Sequence, residues 1–192
     1  MSQTTTAPLP TLVPKDDVPT EHIPIDPAAA AYENHDEFVK ASTTKSVRPA
    51  HWPWKKITAL LDQYLADPKY DGDTRYVSLR GTDSPNGSTI PTQWVTIHCL
   101  RPGEKIQIHR HTPASTYFII RGTGYSTINE YRIDWEDGDT FSCPSFSYHE
   151  HYNTGQENSY IYTVQDAPTY VYNRMMLFQY GHSEAFLCHK KP

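Results

Sequence analysis

From Arg75 onward the chain consists of short segments rich in Val, Ile, Thr, Tyr and Phe, separated by Gly, Pro, Asn and Asp. Nine segments have this character: RYVSL, QWVTIHCL, KIQIHRH, TYFIIRG, GYSTIN, YRIDW, DTFSC, SYHEHYN and SYIYTVQ. Turn residues lie at 102–103, 129–130 and 137–138. Closely spaced short strands predict an antiparallel sandwich or barrel rather than alternating strands and helices.

The first third of the chain has a different pattern. DPAAAAYENHDEFVKAS predicts one short helix, with Asp26 as N-cap and Pro27 at the first helical position. WKKITALLDQYLAD predicts a second helix, because apolar side chains recur at helical spacing at Ile57, Leu60, Leu61 and Tyr64. Residues 1–25 are rich in Thr and Pro, which predicts disorder. We therefore expect a tail over 1–48 and one folded domain over 49–192.

Composition narrows the function classes. The 192 residues carry a net charge of −5 with a pI of about 6.0, which argues against nucleic acid or an anionic membrane as partner and favours a small molecule. Three widely spaced cysteines argue against a disulfide framework and against a thiolate metal cage. There is no apolar run of 18 residues and no secretion signal at the N-terminus, so a cytoplasmic location is expected.

Histidines dominate the candidate chemistry. Regular strand alternation in KIQIHRH places Lys105, Gln107, His109 and His111 on one face, and two residues along a strand span roughly 6.5–7 Å. One such pair is also common on protein surfaces, but SYHEHYN supplies a second pair, His149 and His151. Neutral imidazoles suit iron, zinc, copper or nickel. The alternation does not decide which histidine of the second pair is a ligand, and no carboxylate follows the first pair within ten residues.

The spacing of these residues resembles the two motifs of the cupin superfamily. The first motif matches at Gly103, His109, His111 and Gly122, with Ser115 in place of its usual Glu. The second matches at Gly138, Pro144, His149 and Asn153, with Phe146 in place of a Gly. The resemblance implies a mainly β fold, a single cupin (double-stranded β-helix or jelly-roll) barrel with short N-terminal helices. It also selects His149 rather than His151 as the third metal ligand.

Among cupins the chain is most similar to the ring-cleaving gentisate, salicylate and 1-hydroxy-2-naphthoate dioxygenases. The similarity lies in HWPWKKITALL, TRYVSL, RPGEKIQIHRHTPASTYFIIRGTG, WEDGDTFSCPSFSYHEHYN and VQDAP. Those enzymes usually have two cupin domains, and this chain has room for one. In that family three neutral histidines, without a carboxylate, hold Fe(II). The resemblance therefore implies Fe(II) held by His109, His111 and His149, O₂ as a co-substrate, and a homodimer.

The resemblance also assigns further site residues. It implies catalytic roles for His151, Arg75 and Asp166, with His151 handling a substrate proton. It places Tyr117 where the family has a carboxylate-gripping arginine, and His98 where it has a glutamine. Together with Gln107, these two are the predicted substrate-binding residues. Because a phenol cannot form the paired, charge-assisted hydrogen bonds of a guanidinium, the substrate is expected to lack the carboxylate of gentisate.

The leading hypothesis is an Fe(II)-dependent dioxygenase that cleaves a C–C bond of a small hydroxylated aromatic or quinol-like compound. One alternative is a non-redox cupin, an isomerase, lyase or decarboxylase that uses Zn, Mn or Ni as a Lewis acid. The other is a ligand-binding cupin without catalysis.

Overall fold

A computed structural model describes residues 24, 26, 28, 33–42 and 47–188. The chain forms two compact units, residues 1–48 and 49–192, which are described separately. The tail predicted over residues 1–25 lies outside the described residues, apart from Pro24. No helix in the described ranges is both long and apolar enough to cross a membrane.

The first unit contains one helix, α1 (His35–Ser42). Asn34 caps it: its side-chain oxygen accepts a hydrogen bond from the Glu37 backbone N–H at 3.0 Å. The Glu37 carboxylate accepts one from the Asn34 backbone N–H at 3.1 Å, which completes a capping box. Asp26 accepts a hydrogen bond from the Ala28 backbone N–H at 2.9 Å, as an N-cap does, and Ala28 is in a 3₁₀ turn. Asn34, rather than Asp26, caps α1, and residues 29–32 lie outside the described residues. Residue 27 lies outside the described residues.

The second unit begins with helix α2 (Trp54–Ala66), as predicted, and continues into strands. The strands are β1 (Tyr76–Leu79), β2 (Trp94–Leu100), β3 (Lys105–His111), β4 (Ser115–Arg121), β5 (Gly124–Ile128), β6 (Tyr131–Trp135), β7 (Thr140–Cys143), β8 (His149–Asn153), β9 (Ser159–Gln165), β10 (Leu177–Tyr180) and β11 (Phe186–Leu187). A short helix, α3 (Ala167–Tyr172), separates β9 from β10. The nine predicted strands are confirmed; α3, β10 and β11 were not predicted.

The strands form two sheets in which every neighbouring pair is antiparallel. One sheet has the order β1-β2-β9-β4-β7, and the other has the order β11-β10-β3-β8-β5-β6. Consecutive strands alternate between the sheets over much of the chain, so the order is that of a jelly roll rather than a meander. The predicted mainly β barrel is confirmed.

Two apolar clusters hold the second unit together. In the first, Ile57 and Leu61 of α2 pack on one face of the five-stranded sheet, which presents Val77, Leu79, Val95, Ile97, Cys99 and Tyr160. The second contains Leu100, Ile106, Tyr117, Ile119, Ile128, Trp135, Cys143 and Ile161, contributed by strands of both sheets. Alternate residues of β1 and β2 therefore face either α2 or the barrel interior, and this parity decides which side chains reach the interior.

Strand β3 contains a β-bulge. Ile106 lies opposite His151 and His109 lies opposite His149, so three steps along β3 match two along β8. The predicted regular alternation is therefore wrong between these positions. Ile106, rather than Lys105 or Gln107, shares the cavity wall with His109 and His111. Both Lys105 and Gln107 are exposed.

Candidate metal centre

Three histidines converge from two adjacent strands. His109 and His111 come from β3 and His149 comes from β8, directly opposite His109. The ring centroid of His149 lies 4.2 Å from that of His109 and 4.8 Å from that of His111. One ligand nitrogen from each ring lies within 4.8 Å of the other two. The three side chains can therefore share one ion.

A backbone carbonyl fixes the tautomer of each ring. The Nδ1 atom lies 2.7 Å from the Gln107 carbonyl oxygen in His109, 2.9 Å from that of Pro113 in His111, and 2.9 Å from that of Ser147 in His149. Because a carbonyl oxygen only accepts hydrogen bonds, each Nδ1 carries the proton and each Nε2 presents a lone pair. Second partners of this kind orient the histidines of protein metal sites.

The environment keeps these imidazoles neutral. His111 is 4% exposed and His149 is 1% exposed. Burial, together with the neighbouring histidines, lowers the pKa of His111 to about 4 and the pKa of His149 well below its ordinary value. Burial also lowers the pKa of His109. Neutral imidazole is the form that binds metal ions, so protons do not compete near neutral pH.

The donor set fits a transition metal. Nε2 of His149 is buried and has no hydrogen-bond partner among the described residues. A buried nitrogen lone pair without a partner is costly, and a metal ion would satisfy it. Imidazole nitrogens suit iron, zinc, copper and nickel rather than magnesium or calcium. Among the described residues, no carboxylate belongs to this group of ligand atoms.

His109 and His111 lie in the wall of a cavity of about 190 Å³. Four aromatic side chains surround them: Tyr76, Trp94, Phe178 and Tyr180. The Phe178 ring stacks on His109 with a centroid distance of 5.2 Å and an interplanar angle of 6°. Asp73 is the one charged side chain among the lining residues; neither lysine nor arginine lines this cavity.

A cupin domain model matches residues 96–165, which include all three histidines. This region, rather than the whole chain, is similar to a cupin domain. It is 26% identical to a 5-nitrosalicylic acid 1,2-dioxygenase of Bradyrhizobium over 75% of this chain and 72% of that protein. It is 32% identical to a 5-aminosalicylate 1,2-dioxygenase of Comamonas over 61% of this chain. There it spans only 31% of the relative, so the second relative is much longer than the matched region.

The cupin barrel is also similar to a solved structure, a salicylate 1,2-dioxygenase from Pseudaminobacter salicylatoxidans. The TM-score is 0.67 at 22% identity, over 72% of this chain and 41% of that one. This likeness shows the fold, and the two sequence relatives are named as 1,2-dioxygenases.

His98 is the predicted substrate-binding residue that the cupin barrel does bring to the cavity. It lies on β2 directly opposite Tyr76, and the two rings lie 4.9 Å apart. Both line the cavity with His109 and His111. The Nδ1 atom of His98 is buried without a hydrogen-bond partner among the described residues. Burial, together with the proximity of His109, lowers the pKa of His98 to about 4, so the ring is neutral.

His151 and Tyr117 lie beneath the histidine cluster and do not line the cavity. His151 is 1% exposed, and its Nδ1 lies 2.7 Å from the Ser126 hydroxyl, which accepts a hydrogen bond from Trp135 at 3.0 Å. The Tyr117 ring lies 4.5 Å from His151 and 5.0 Å from Phe141. Burial raises the pKa of the Tyr117 phenol. Both side chains pack close to His149, and their predicted contacts with substrate stay predictions.

Arg75 lies on the opposite side of its sheet from the cavity. Its neighbour Tyr76 faces the cavity, so strand parity turns Arg75 toward the α2 side. Its guanidinium is fully buried and forms a two-point ion pair with Glu104. It also donates to the Tyr70 carbonyl at 2.7 Å and the Cys99 carbonyl at 3.3 Å. These contacts support a structural role for Arg75, and its catalytic role stays a prediction.

Asp166 and Gln107 also lie outside the cavity. Asp166 accepts a hydrogen bond from the Ala114 backbone N–H at 2.9 Å, which fixes the loop after β3. Since the Pro113 carbonyl in that loop accepts a hydrogen bond from Nδ1 of His111, Asp166 helps to position a candidate ligand, and its predicted catalytic role stays a prediction. Gln107 acts through its main chain: its N–H donates to Asp73 at 2.7 Å and its carbonyl anchors His109.

Sequence reasoning missed most of the cavity wall. Phe178 and Tyr180 come from β10, which pairs with β3 and places Phe178 opposite His111. Asp73 precedes β1, and Trp94 is the first residue of β2. Gln165 ends β9 and reaches His111. Strand parity on β9 was the one signal that could have found Gln165, because alternate positions Ile161 and Thr163 are also buried in the barrel.

Proposed function

We propose that this cupin is an Fe(II)-dependent dioxygenase that uses O₂ to cleave a C–C bond of a small hydroxylated aromatic compound. The observation that carries the proposal is the convergence of three neutral histidines, each held in the Nδ1–H tautomer, two of which, His109 and His111, line an aromatic cavity. The names of the two relatives support the reaction class, since both are 1,2-dioxygenases.

In this proposal His109, His111 and His149 hold the metal through Nε2. Ferrous iron, when bound, supplies coordination positions for substrate oxygens and O₂ and the electrons that activate O₂. Three neutral ligands leave the full charge on the ion, which favours an anionic phenolate oxygen as a further ligand. The aromatic wall orients the ring and excludes water, while the carbonyls of Gln107, Pro113 and Ser147 keep the histidines oriented.

The cavity indicates the substrate class. A cavity of about 150 Å³ can hold one benzene molecule, so the 190 Å³ here suits one ring with small substituents. No cationic side chain lines the cavity to grip a carboxylate, and Asp73 would repel one. The sequence predicted an uncarboxylated substrate from Tyr117, which does not reach the cavity. The charge of the cavity lining supports the same class of substrate, a phenolic or quinol-like compound without an ortho-carboxylate.

The test is anaerobic reconstitution followed by O₂ uptake. Protein loaded with Fe(II) is expected to consume O₂ only when a catechol or quinol is added, and to prefer these to gentisate and salicylate. A His109→Ala, His111→Ala double variant is expected to purify without metal, as measured by elemental analysis. Stoichiometric metal in that variant would remove the histidines from the proposal. Full turnover with Zn(II) and no O₂ uptake would instead identify a non-redox cupin.

The homodimer and the cytoplasmic location stay predictions. Light scattering coupled to size-exclusion chromatography tests the first, and a result other than twice the 22.0 kDa chain mass contradicts it.

A further inference from the structure

Gln165 stands beside the position of the carboxylate that this cupin lacks. Ser115, on β4, occupies the place of the usual motif Glu, and its buried hydroxymethyl side chain is too short to replace a carboxylate. On the adjacent strand β9, Gln165 is the register partner of Ser115. A longer polar side chain therefore starts from the neighbouring strand at the same level of the barrel.

The Gln165 amide already contacts the metal-binding face. Its Nε2 lies 3.3 Å from Nε2 of His111. Nδ1–H of His111 donates a hydrogen bond to the Pro113 carbonyl. Nε2 of His111 is therefore the acceptor, and the N–H of the Gln165 amide is the donor. The lone pair that accepts this hydrogen bond is the one that a metal ion would take. The hydrogen bond and the metal exclude each other, so the amide must reorient when an ion binds.

Reorientation converts the amide into a ligand. Half a turn about the terminal bond of glutamine exchanges its NH₂ for its carbonyl oxygen, with little change in the space it occupies. Gln165 has room for this change because it lines both the histidine cavity and a second cleft of about 470 Å³ that contains Ser115 and Ser142. Among the described residues, His111 is the one hydrogen-bond partner of the Gln165 side chain.

We propose that Gln165 is a fourth polar group of the metal centre, turning its carbonyl oxygen toward the ion that the three histidines hold. This inference rests on the proposed metal site. A neutral oxygen donor would complete the face left open by Ser115 without cancelling charge on the ion, whereas a carboxylate would cancel part of it. Gln165 would then hold the metal more firmly and still leave it attractive to an anionic substrate oxygen.

The experiment measures metal affinity and coordination rather than turnover. Wild type, Gln165→Leu and Gln165→Glu are titrated with Co(II) and Zn(II) in full-length protein, with competition by a chelator. Gln156→Leu is the matched control, because Gln156 is exposed in the β8–β9 turn. We expect Gln165→Leu to bind both ions at least roughly tenfold more weakly, since losing a supporting group typically costs 10–100-fold. We also expect its visible Co(II) spectrum to change.

Gln165→Glu keeps an oxygen donor and cannot donate to His111, so it is expected to bind the ions more tightly than wild type. This variant keeps the test valid if Gln165→Leu folds poorly, which its far-ultraviolet circular dichroism would reveal. Unchanged or tighter binding by a folded Gln165→Leu, with an unchanged Co(II) spectrum, would overturn the inference and leave the three-histidine site standing. No binding by wild type would overturn the proposed metal site itself.

Discussion

The ion pair between Arg75 and Glu104 gives the sharpest test of whether Arg75 supports the fold or acts on substrate. The perturbation is Glu104→Gln, which removes the charge but keeps the shape of the side chain. In the native protein Arg75 is fully buried, and both oxygens of Glu104 bind it. Burial alone raises the pKa of Glu104, but hydrogen bonds from Arg75 and Arg101 outweigh it, so the net pKa is lowered and the carboxylate is charged.

The expected cost follows from what the substitution leaves behind. Breaking a buried ion pair by removing one partner costs about 3–5 kcal/mol, because the other charge stays buried. The Glu104 side chain is 26% exposed, and Arg75 keeps the carbonyls of Tyr70 and Cys99. We therefore expect the lower end, a loss of about 3 kcal/mol in the free energy of unfolding. For a chain of this size that lowers the melting temperature by roughly 6–12 °C.

The assay is urea unfolding of the metal-free protein, with Glu130→Gln in the exposed β5–β6 turn as the matched control. The control is expected to change stability by less than about 0.5 kcal/mol. Arg75→Met, measured in parallel, is expected to destabilise the fold while the folded fraction keeps its metal affinity and its KM. A loss below about 1 kcal/mol for Glu104→Gln, or a raised KM for Arg75→Met at unchanged stability, would refute the structural role of Arg75.

Three further predictions concern pH, packing and the base of the metal site. The pKa values of His98 and His111 are lowered to about 4, from about 6.5 in the unfolded chain. The unfolded state therefore binds more protons between these values. Above about pH 6.5 the stability of the metal-free protein should not depend on these histidines. Below about pH 6.5 the free energy of unfolding should fall by about 1.4 kcal/mol per pH unit for each histidine. A urea midpoint that stays constant between about pH 6.5 and 4 would contradict this. Gly124→Ala would place a Cβ atom 2.1 Å from the Tyr152 carbonyl oxygen and 2.4 Å from the Trp135 ring. We therefore expect the free energy of unfolding, measured by chemical denaturation, to fall by about 3 kcal/mol or more. A near-neutral result would mean that β5 can move away from Tyr152 on β8 and Trp135 on β6. Ser126→Ala removes the hydroxyl shared by His151 and Trp135 and should cost about 1–3 kcal/mol for each group left without a partner. Its metal content should be unchanged, and loss of metal would show that His151 controls the ligands directly.

Local patterns were enough to predict the strands and the histidine cluster. The nine strands from β1 to β9 have β-branched or aromatic residues bounded by turn residues, and Asn129, Gly103 and Gly138 adopt the positive φ angles that tight turns require. The family spacing singled out His109, His111 and His149, and the structure brings these three together. These features depend on the identity of neighbouring residues, which a sequence displays.

Non-local geometry decided the remaining positions. The bulge in β3 is not visible in KIQIHRH, because it depends on register with β8 and on the hydrogen bond from Gln107 to the distant Asp73. The burial of Arg75 was not predicted, because matching a family position along the chain says nothing about which side of the sheet a residue just before β1 occupies. Strand β10, four residues long, has no alternation of its own and becomes a strand by pairing with β3.

The placement of β10 separates the shape of the cavity from the backbone contacts that orient the three histidines, so substitutions can change the first without the second. The strands that carry the histidines, β3 and β8, lie inside the sheet, whereas two of the four aromatic rings of the cavity, Phe178 and Tyr180, come from β10, which pairs with β3. Replacing Phe178 or Tyr180 alters the space and polarity above the histidines but touches none of the three carbonyls that hold their Nδ1 protons. Substitutions in β10 can therefore reshape the cavity while the backbone carbonyls that orient the three histidines stay in place.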